Sequence, residues 1–418
     1  MTVNDELEHQ LRDWLAGVAT PRDVDISAVF ARTGSMHQRP DWTRPSMWFA
    51  RPTRRTQSFG ALPVVVVTAA LILVFVVAAL LVGSRPTLPA PVGPTRSGLV
   101  TFDSDGDIFA VQPDGSGRTL LVSGPDVQFG AAWSPDGTRL AYWSASDRRE
   151  PASLWMLKLD GSMAVNLSGE RTFYIDQAPI WAPDSKRIAF ATRTGELRVL
   201  NANGSNLRRI GDPALNYLLP TWSPDGSWIA VRATSVDYEG FVGYVIHPDG
   251  TGATQITTAT SMEDAHGGLA WSPDGRSVVY HTGVPRDFDI AISRLDSSGA
   301  WREEVLIDGT NYDVQPAWSN DGTRIAFIRT DGLGTARQIS HLMVANAAGG
   351  DARMISDRPV DRYSPCWSPD DRSIRVMSYS TVDLRPILEL IAVDGSAVVE
   401  IPIPGWASSD CAWQRLAP

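Results

Sequence analysis

The sequence lacks several features that would point to common activities. No Gly-x-Ser-x-Gly motif occurs, so the nucleophile elbow of an α/β-hydrolase is not indicated. Basic residues are in the minority, with 37 Lys and Arg against 47 Asp and Glu, and the net charge of −10 gives no support for nucleic-acid binding. Cysteine occurs only twice and histidine six times. The missing motif therefore disfavours a serine hydrolase of this fold, and the net charge gives no support for a nucleic-acid-binding protein.

Long apolar runs are also scarce, but the chain contains one from Ala61 to Gly83. About 20 apolar residues cross the hydrocarbon core of a bilayer, so this run is predicted to be a transmembrane helix. It is too long, and too far from Met1, for a cleaved signal peptide. The arginines around it are Arg39, Arg44, Arg51, Arg54 and Arg55 before the run, and Arg85 and Arg96 after it. The positive-inside rule therefore predicts a single-pass membrane protein whose N-terminus is cytoplasmic.

The segments on either side of the predicted span differ in character. Residues 1–60 carry apolar residues at helical spacing from Leu7 to Val18 and a second helix start at Thr20, which predicts a short helical leader with a basic juxtamembrane stretch. Residues 84–97 hold four prolines and few apolar side chains, and are interpreted as a semi-extended linker. Residues 98–418 are then expected on the extracytoplasmic side of the cell membrane.

Residues 98–418 are dominated by one repeated unit. A Trp-Ser-Pro-Asp-Gly sequence or a close variant recurs every 41 to 49 residues or so, a period typical of propeller blades. Pro, Asp and Gly suit successive positions of a tight turn between two strands. A second hairpin follows at an Asp-Gly or Asn-Gly pair, so each unit supplies four antiparallel strands. We interpret the repeated Trp as packing between blades and the repeated Asp as a turn residue; they are Trp133, Asp136, Trp181, Asp184, Trp222, Asp225, Trp271, Asp274, Trp318, Asp321, Trp367, Asp370 and Trp413.

Counting strands predicts how the ring closes. Gly98 to Phe102 matches the second strand of a unit, and Asp107 to Val111 and Arg118 to Val122 match the third and fourth. The missing first strand is supplied by Cys411 to Gln414 at the other end of the chain. Six full units and one blade shared by both ends predict an all-β, seven-bladed β-propeller, with six blades as the alternative.

The two cysteines, Cys366 and Cys411, each precede a repeated Trp in neighbouring blades. A disulfide between them would lock the ring and stabilise it by roughly 2–4 kcal/mol. Cys366 is one residue before its Trp and Cys411 two before, so their side chains are expected to face different ways in a regular strand. Two buried free thiols are therefore the favoured interpretation, and the disulfide is the alternative.

The repeated unit resembles those of TolB-type, WD40-like β-propellers over roughly residues 98–418. The departures from the pattern are Ala182, Ser185, Asn320 and Asp371. The whole layout resembles that of bacterial single-pass proteins, among them membrane-bound anti-sigma factors. The zinc-binding type of that group carries a His-x-x-x-Cys-x-x-Cys pattern, whereas His9 and His37 have no cysteine near them. This layout implies an extracytoplasmic propeller, and the sequence predicts no cofactor.

Three functions are compatible with this layout. We favour a non-catalytic module that binds a protein, peptide or glycan through loops of the propeller. A transmembrane regulator, in which an external ligand acts through the span on the leader, is the first alternative. A propeller hydrolase or lyase is the second. The candidate binding loops run from Ser144 to Ser153, Ser235 to Gly240, Gly283 to Asp289 and Asp331 to Gln338.

Two local patterns have both a chemical and a structural interpretation. His266, beside two glycines just before a first strand, is the one histidine we single out for chemistry, since His247, His281 and His341 are scattered; an ordinary loop residue is favoured. The stretch from Asp103 to Asp107 spaces its carboxylates like a calcium loop but lacks the downstream Glu of that motif. A turn between strands is the favoured reading there, and no metal site is predicted.

Overall fold

The structure, a computed structural model, describes residues 95–160, 162–169, 171–175, 177–235, 240–258, 267–284, 287–309, 311–332, 334–335, 338–361, 365–380, 385–403 and 412–416. The chain divides into two units, Met1–Ser84 and Arg85–Pro418, and every described strand belongs to the second. The predicted leader (1–60) and span (61–83) lie outside the described residues, as does most of the predicted linker (84–97). Within the described ranges, no helix is long and apolar enough to cross a membrane.

The strands form seven four-stranded antiparallel sheets, which we call blades 1 to 7. Blade 1 begins with β1 (Arg96–Ser104), β2 (Asp107–Val111) and β3 (Thr119–Val122). Blade 2 contains β4 (Val127–Trp133), β5 (Arg139–Ala145), β6 (Ser153–Lys158) and β7 (Val165–Asn166). Blade 3 contains β8 (Ile180–Trp181), β9 (Arg187–Ala191), β10 (Leu197–Asn201) and β11 (Arg208–Ile210). Blade 4 contains β12 (Leu215–Trp222), β13 (Ile229–Ser235), β14 (Val242–Ile246) and β15 (Thr254–Gln255).

The remaining blades follow the same order. Blade 5 contains β16 (Ala270–Trp271), β17 (Ser277–Val284), β18 (Asp287–Leu295) and β19 (Trp301–Ile307). Blade 6 contains β20 (Tyr312–Trp318), β21 (Arg324–Asp331), β22 (Ile339–Asn346) and β23 (Arg353–Met354). Blade 7 contains β24 (Cys366–Trp367), β25 (Ser373–Tyr379), β26 (Pro386–Ala392) and β27 (Val398–Pro402). Finally, β28 (Trp413–Leu416) returns to blade 1 and pairs with β1.

The pairing of β28 with β1 closes the ring and confirms seven blades, so the six-bladed alternative was wrong. The closing strand begins at Trp413, two residues later than predicted, and β1 begins at Arg96. The register of the two strands shifts between Ser97 and Val100. Gly98 leaves room there for the Gln414 side chain, whose Oε1 accepts the Leu99 amide at 3.1 Å. Glycine is suited to such a close approach of another chain segment.

The hydrophobic core lies between neighbouring blades. Between blades 2 and 3, the ring of Trp143 packs edge-on against Phe190 with centroids 5.0 Å apart. Both side chains are buried, and Trp143 Nε1 donates to the Gln177 carbonyl at 2.9 Å. Apolar clusters of the same kind join the other blades. Each blade therefore needs a neighbour to cover its faces, which makes the closed ring the stable unit.

Candidate functional site

The repeated aspartates lie in the turns between the first and second strands. In blade 2 the Asp136 carboxylate accepts hydrogen bonds from Ser134 Oγ at 2.6 Å and from the Thr138 amide at 3.1 Å. The same Ser–Asp bond measures 2.5 to 2.7 Å in blades 4 to 7. Burial raises the pKa of Asp136, but these bonds and the charge of Arg139 outweigh it and hold the pKa below its usual range. A carboxylate kept ionised by its own turn is poorly suited to act as a general acid.

Four of the repeated tryptophans link their blade to the one before it by a hydrogen bond. In four blades the indole Nε1 donates to the carbonyl immediately before the previous blade's Trp. The pairs are Trp181 to Ala132 at 3.0 Å, Trp222 to Ile180 at 3.1 Å, Trp271 to Thr221 at 3.3 Å and Trp367 to Ala317 at 3.0 Å. The first strand of a blade is an edge strand, so its outward carbonyls have no partner within the sheet. Each indole bond provides one of these carbonyls with a donor. We call this set the indole ladder.

Three arginines strengthen the same contacts. The guanidinium of Arg139 lies over the Trp181 ring at 5.0 Å and donates to the Ser185 carbonyl at 2.6 Å. It also pairs with Asp136 of its own turn at 2.9 Å. The equivalent pairs are Arg187 over Trp222 at 4.7 Å and Arg324 over Trp367 at 4.9 Å. The turns are thus part of the contacts between blades.

A channel of about 600 Å³ is lined by the first strands and turns of all seven blades, and so lies on the axis of the ring. Most of the lining is Pro, Ala, Leu, Ile and Trp. Gln177, Asn320 and Arg415 contribute polar groups, and Arg415 carries the one charge among the described lining residues. This volume and lining are typical of a site for a small molecule or a short peptide segment.

The wall of the channel offers few backbone groups for hydrogen bonding. Four prolines stand two residues before a repeated Trp: Pro179, Pro220, Pro316 and Pro365. Proline has no N–H and is tolerated because these are edge strands. The carbonyls that follow three of these prolines already accept an indole of the ladder. A ligand would therefore meet the wall mainly through apolar contacts.

Leu219 reaches the channel through a distorted stretch of β12. Its φ is +52°, and the register of β12 shifts between Leu218 and Thr221. A left-handed backbone is uncommon for leucine and costs free energy. The Leu219 amide donates to Gln177 Oε1 at 3.1 Å, which holds the distortion in place. An apolar side chain is thereby presented on the channel wall.

In six of the seven blades, one end of the channel is lined by the residue that follows the repeated Ser, or its counterpart Ala182 in blade 3 and Gln414 in blade 1. This position is proline in five blades: Pro135, Pro183, Pro224, Pro273 and Pro369. Blade 6 has Asn320 there, and Arg415 holds the same place after Trp413 and Gln414 in blade 1. Arg415 Nη1 donates to Asn320 Oδ1 at 3.0 Å. Two polar side chains thus meet within a ring of prolines, which we call the proline ring.

Asp371 supports this pair from blade 7. Its carboxylate accepts hydrogen bonds from the backbone and side-chain nitrogens of Asn320 at 2.7 and 2.8 Å, and from the Asp321 amide at 2.8 Å. Asp371 is buried and replaces the glycine of the repeat, with φ +57°. Burial lowers the pKa of Arg415, while the charge of Asp371 acts in the opposite direction. Asp371 is thus desolvated, whereas Asn320 and Arg415 are half-buried.

The histidines do not form a site among the described residues. His247 follows β14, His281 lies in β17 and His341 in β22, so they belong to three different blades. His266 lies outside the described ranges. In the part of the chain that the structure describes, no group of three or more His, Cys, Asp or Glu side chains could hold a metal ion.

The stretch from Asp103 to Asp107 forms a turn, as predicted. Asp105 and Gly106 connect β1 to β2 with φ values of +53° and +88°. Asp103 is buried and forms an ion pair with Arg148. Arg148 belongs to the predicted binding loop from Ser144 to Ser153, so that loop is tied to blade 1.

The other predicted loops are described only in part. β17 extends to Val284 and β18 begins at Asp287, so the stretch from Gly283 to Asp289 is largely a long hairpin. Residues 236–239 of the second loop and 333, 336 and 337 of the fourth lie outside the described ranges.

Cys366 lies in β24, is buried, lines the channel and is disulfide-bonded. The only other cysteine, Cys411, lies outside the described residues. Its pairing with Cys366 therefore stays a prediction.

Sequence reasoning missed Arg415 as a residue of the channel. Aligning Gln414 and Arg415 with the Ser-Pro pair of the repeat would have placed Arg415 in the proline ring. The sequence analysis also treated Asn320 and Asp371 as two unrelated departures from the repeat. Their contact joins residues 51 positions apart and leaves no local signal.

Comparison with known proteins agrees with this architecture. Residues 220–417 match the family model PD40, the TolB beta propeller domain. Dipeptidyl-peptidase 5 of Porphyromonas gingivalis is 25% identical over 294 residues, 64% of this chain and 40% of that protein. The Tol-Pal system protein TolB of Anaeromyxobacter dehalogenans is 29% identical over 113 residues, 26% of this chain and 25% of that protein. The chain thus spans two fifths or less of these relatives.

Among solved structures, the tricorn protease is similar with a TM-score of 0.55 at 13% identity, covering 78% of this chain and 36% of that one. At this identity the likeness shows the fold alone. The relatives include peptidases and TolB, so they do not decide the function.

Proposed function

We propose that this TolB-type β-propeller protein is a non-catalytic binding module whose ligand enters the axial channel. The observation that carries the proposal is the channel itself, which is open, apolar and bounded at one end by Asn320 and Arg415. Its prolines and indole ladder leave a wall suited to apolar contact. The repeated carboxylates are engaged in turns, which supports binding over catalysis.

We further propose that residues 61–83 anchor the protein in a membrane, with the propeller on the extracytoplasmic side. The support is the apolar length of that segment and the arginines before it. Resistance to extraction by alkaline carbonate, and protease access to the propeller only from outside the cell, are expected. Release by carbonate, or protection of the propeller in intact cells, would contradict the topology.

The channel proposal is tested by filling the channel. Gly268 lines the channel, and a Cβ there would meet only Leu219 Cβ, at 3.9 Å, so Gly268→Phe is chosen to fill the lumen. Gly309 is the matched control, because it has similar space but lies outside the lining. Full-length wild type, Gly268→Phe and Gly309→Phe are crosslinked in membranes and their bound partners identified by mass spectrometry.

We expect partners of the wild type to be kept by Gly309→Phe and lost by Gly268→Phe, with unchanged melting temperatures. Equal capture by all three proteins would overturn the channel as the binding site. Loss of a cytosolic partner on deletion of residues 1–60 would instead favour the regulatory alternative.

A further inference from the structure

Among the described residues that line the channel, the one charged residue lies at one end of it. Its wall is apolar, while one end carries Arg415 within the proline ring. A neutral apolar ligand would not need a guanidinium at that point, and the repeat elsewhere supplies proline. The substitution of an arginine for a proline at this position therefore calls for a chemical reason.

The geometry holds the Arg415 side chain toward the lumen. Asn320 Oδ1 accepts its Nη1 at 3.0 Å, and the Asn320 amide nitrogen is in turn fixed by Asp371. Asp371 lies in the next turn with its carboxylate satisfied by three N–H donors from blade 6. Asn320 and Asp371 are thus positioning residues, and Arg415 is the group that borders the channel space.

We propose that the channel binds a carboxylate carried on an apolar body, with Arg415 as the group that recognises the carboxylate. The apolar body would lie against Leu219 and the prolines, and the carboxylate would lie at the proline ring. This inference rests on the proposed binding function. Guanidinium–carboxylate hydrogen bonds are strong and directional, and partial burial strengthens them further. A peptide C-terminus and a small apolar acid share this chemistry.

A cationic ligand is disfavoured by the same arrangement. Among the described residues, the charge of Asp371 acts on Arg415, but the Asp371 carboxylate is buried and accepts three N–H donors. It offsets part of the positive charge without offering the lumen an acceptor. Recognition would therefore depend on directed bonds to Arg415 more than on net charge.

The test compares acids with their uncharged amides. The full-length protein in lipid nanodiscs is titrated by calorimetry with the peptide acetyl-Leu-Val-Leu as free acid and as amide, and with octanoate and octanamide. Variants are Arg415→Gln, Arg415→Lys and Gly268→Phe, with the exposed Arg302→Gln as control. Asp371 keeps three N–H donors when Arg415 is changed, so the turn is expected to remain folded; melting temperatures check this.

We expect wild type to bind at least one acid roughly tenfold or more tightly than its amide, the effect of a charge-assisted hydrogen bond. Arg415→Gln removes that difference, Arg415→Lys keeps part of it, and Arg302→Gln keeps it all. Binding of the peptide acid alone indicates a chain terminus, and binding of octanoate a small acid; either supports the inference.

Other results overturn it. If acid and amide bind equally, or if no probe binds, the carboxylate is not what the channel recognises. If acid and amide bind equally but Gly268→Phe abolishes both, the channel still binds ligands and only the carboxylate inference fails. If Gly268→Phe binds the acid as wild type does, recognition lies elsewhere and both proposals fail.

Discussion

Asn320 and Asp371 depart from the repeat at different positions of their turns, and each departure accommodates the other. Asn320 replaces a proline and therefore has an amide, and the Asp371 carboxylate accepts that amide at 2.7 Å. Asp371 replaces a glycine and keeps the left-handed backbone of that position. Ser185, another residue in a glycine position, also keeps the left-handed backbone. Its Oγ accepts a hydrogen bond from the Asp136 backbone amide of the previous blade at 3.1 Å. The glycine position of one blade thus reaches the turn of the previous blade.

The first prediction concerns this pair. Asn320→Pro leaves the buried Asp371 carboxylate without two of its donors, so it is expected to destabilise the protein by about 1–3 kcal/mol. Asp371→Gly removes the strain of a left-handed backbone at a non-glycine residue. It also removes the acceptor of the Asn320 backbone and side-chain nitrogens. The double variant restores the repeat and is expected to cost less than the sum of the two. Urea unfolding of the four proteins measures the coupling, and additive costs would contradict it.

The second prediction concerns the indole ladder. Trp181 and Trp133 are similarly buried, at 6% and 8% exposure. Trp181 donates to the Ala132 carbonyl, whereas Trp133 Nε1 has no hydrogen-bond partner among the described residues. Trp181→Phe is therefore expected to lower the free energy of unfolding by about 1 kcal/mol more than Trp133→Phe. Equal losses would show that the ladder bonds add nothing to ring packing.

The third prediction concerns acid stability. Burial raises the pKa of Asp225 and of Asp274, but serine hydroxyls and backbone amides outweigh it and lower both values. Stability from such groups is fully present above the unfolded pKa, about 4, and is lost as pH falls through the folded pKa. The free energy of unfolding should therefore fall between about pH 5 and pH 2.

A variant identifies one of the groups responsible. Asp225→Asn should flatten this acid dependence. Glu389 acts in the opposite direction, because burial raises its pKa and so favours folding at low pH. A wild-type stability that does not change below pH 4 would contradict the role assigned to the turn carboxylates.

The fourth prediction concerns ring closure. If Cys366 pairs with Cys411, the bond joins blade 7 to the chain that enters β28. Reduction should then add two hydrogens to the intact mass, and Cys366→Ala or Cys411→Ala should cost about 2–4 kcal/mol. Exposed Ser396→Ala in blade 7 serves as a control. A monomer mass unchanged by reductant, or a dimer on a non-reducing gel, would rule out this pairing.

The sequence alone determined the blades and their number. The Ser-Pro-Asp-Gly turn is local chemistry, because Pro, Asp and Gly each set the backbone within a few residues. Apolar runs on either side fixed the strands, and incomplete units at both ends predicted the closure that β1 and β28 make. β28 begins two residues later than predicted, and its register with β1 depends on Gly98 and Gln414 meeting across the blade.

Only the tertiary structure decided what the ring encloses. Arg415 borders the channel because β28 pairs with β1 in a particular register, and Asn320 meets it from a blade 95 residues away in sequence. The donors of the indole ladder find their carbonyls 42 to 50 residues earlier in the chain. Such contacts depend on how one blade is placed against the next, and no local propensity specifies that placement. The repeat therefore encodes the blade, and the packing of blades creates the site.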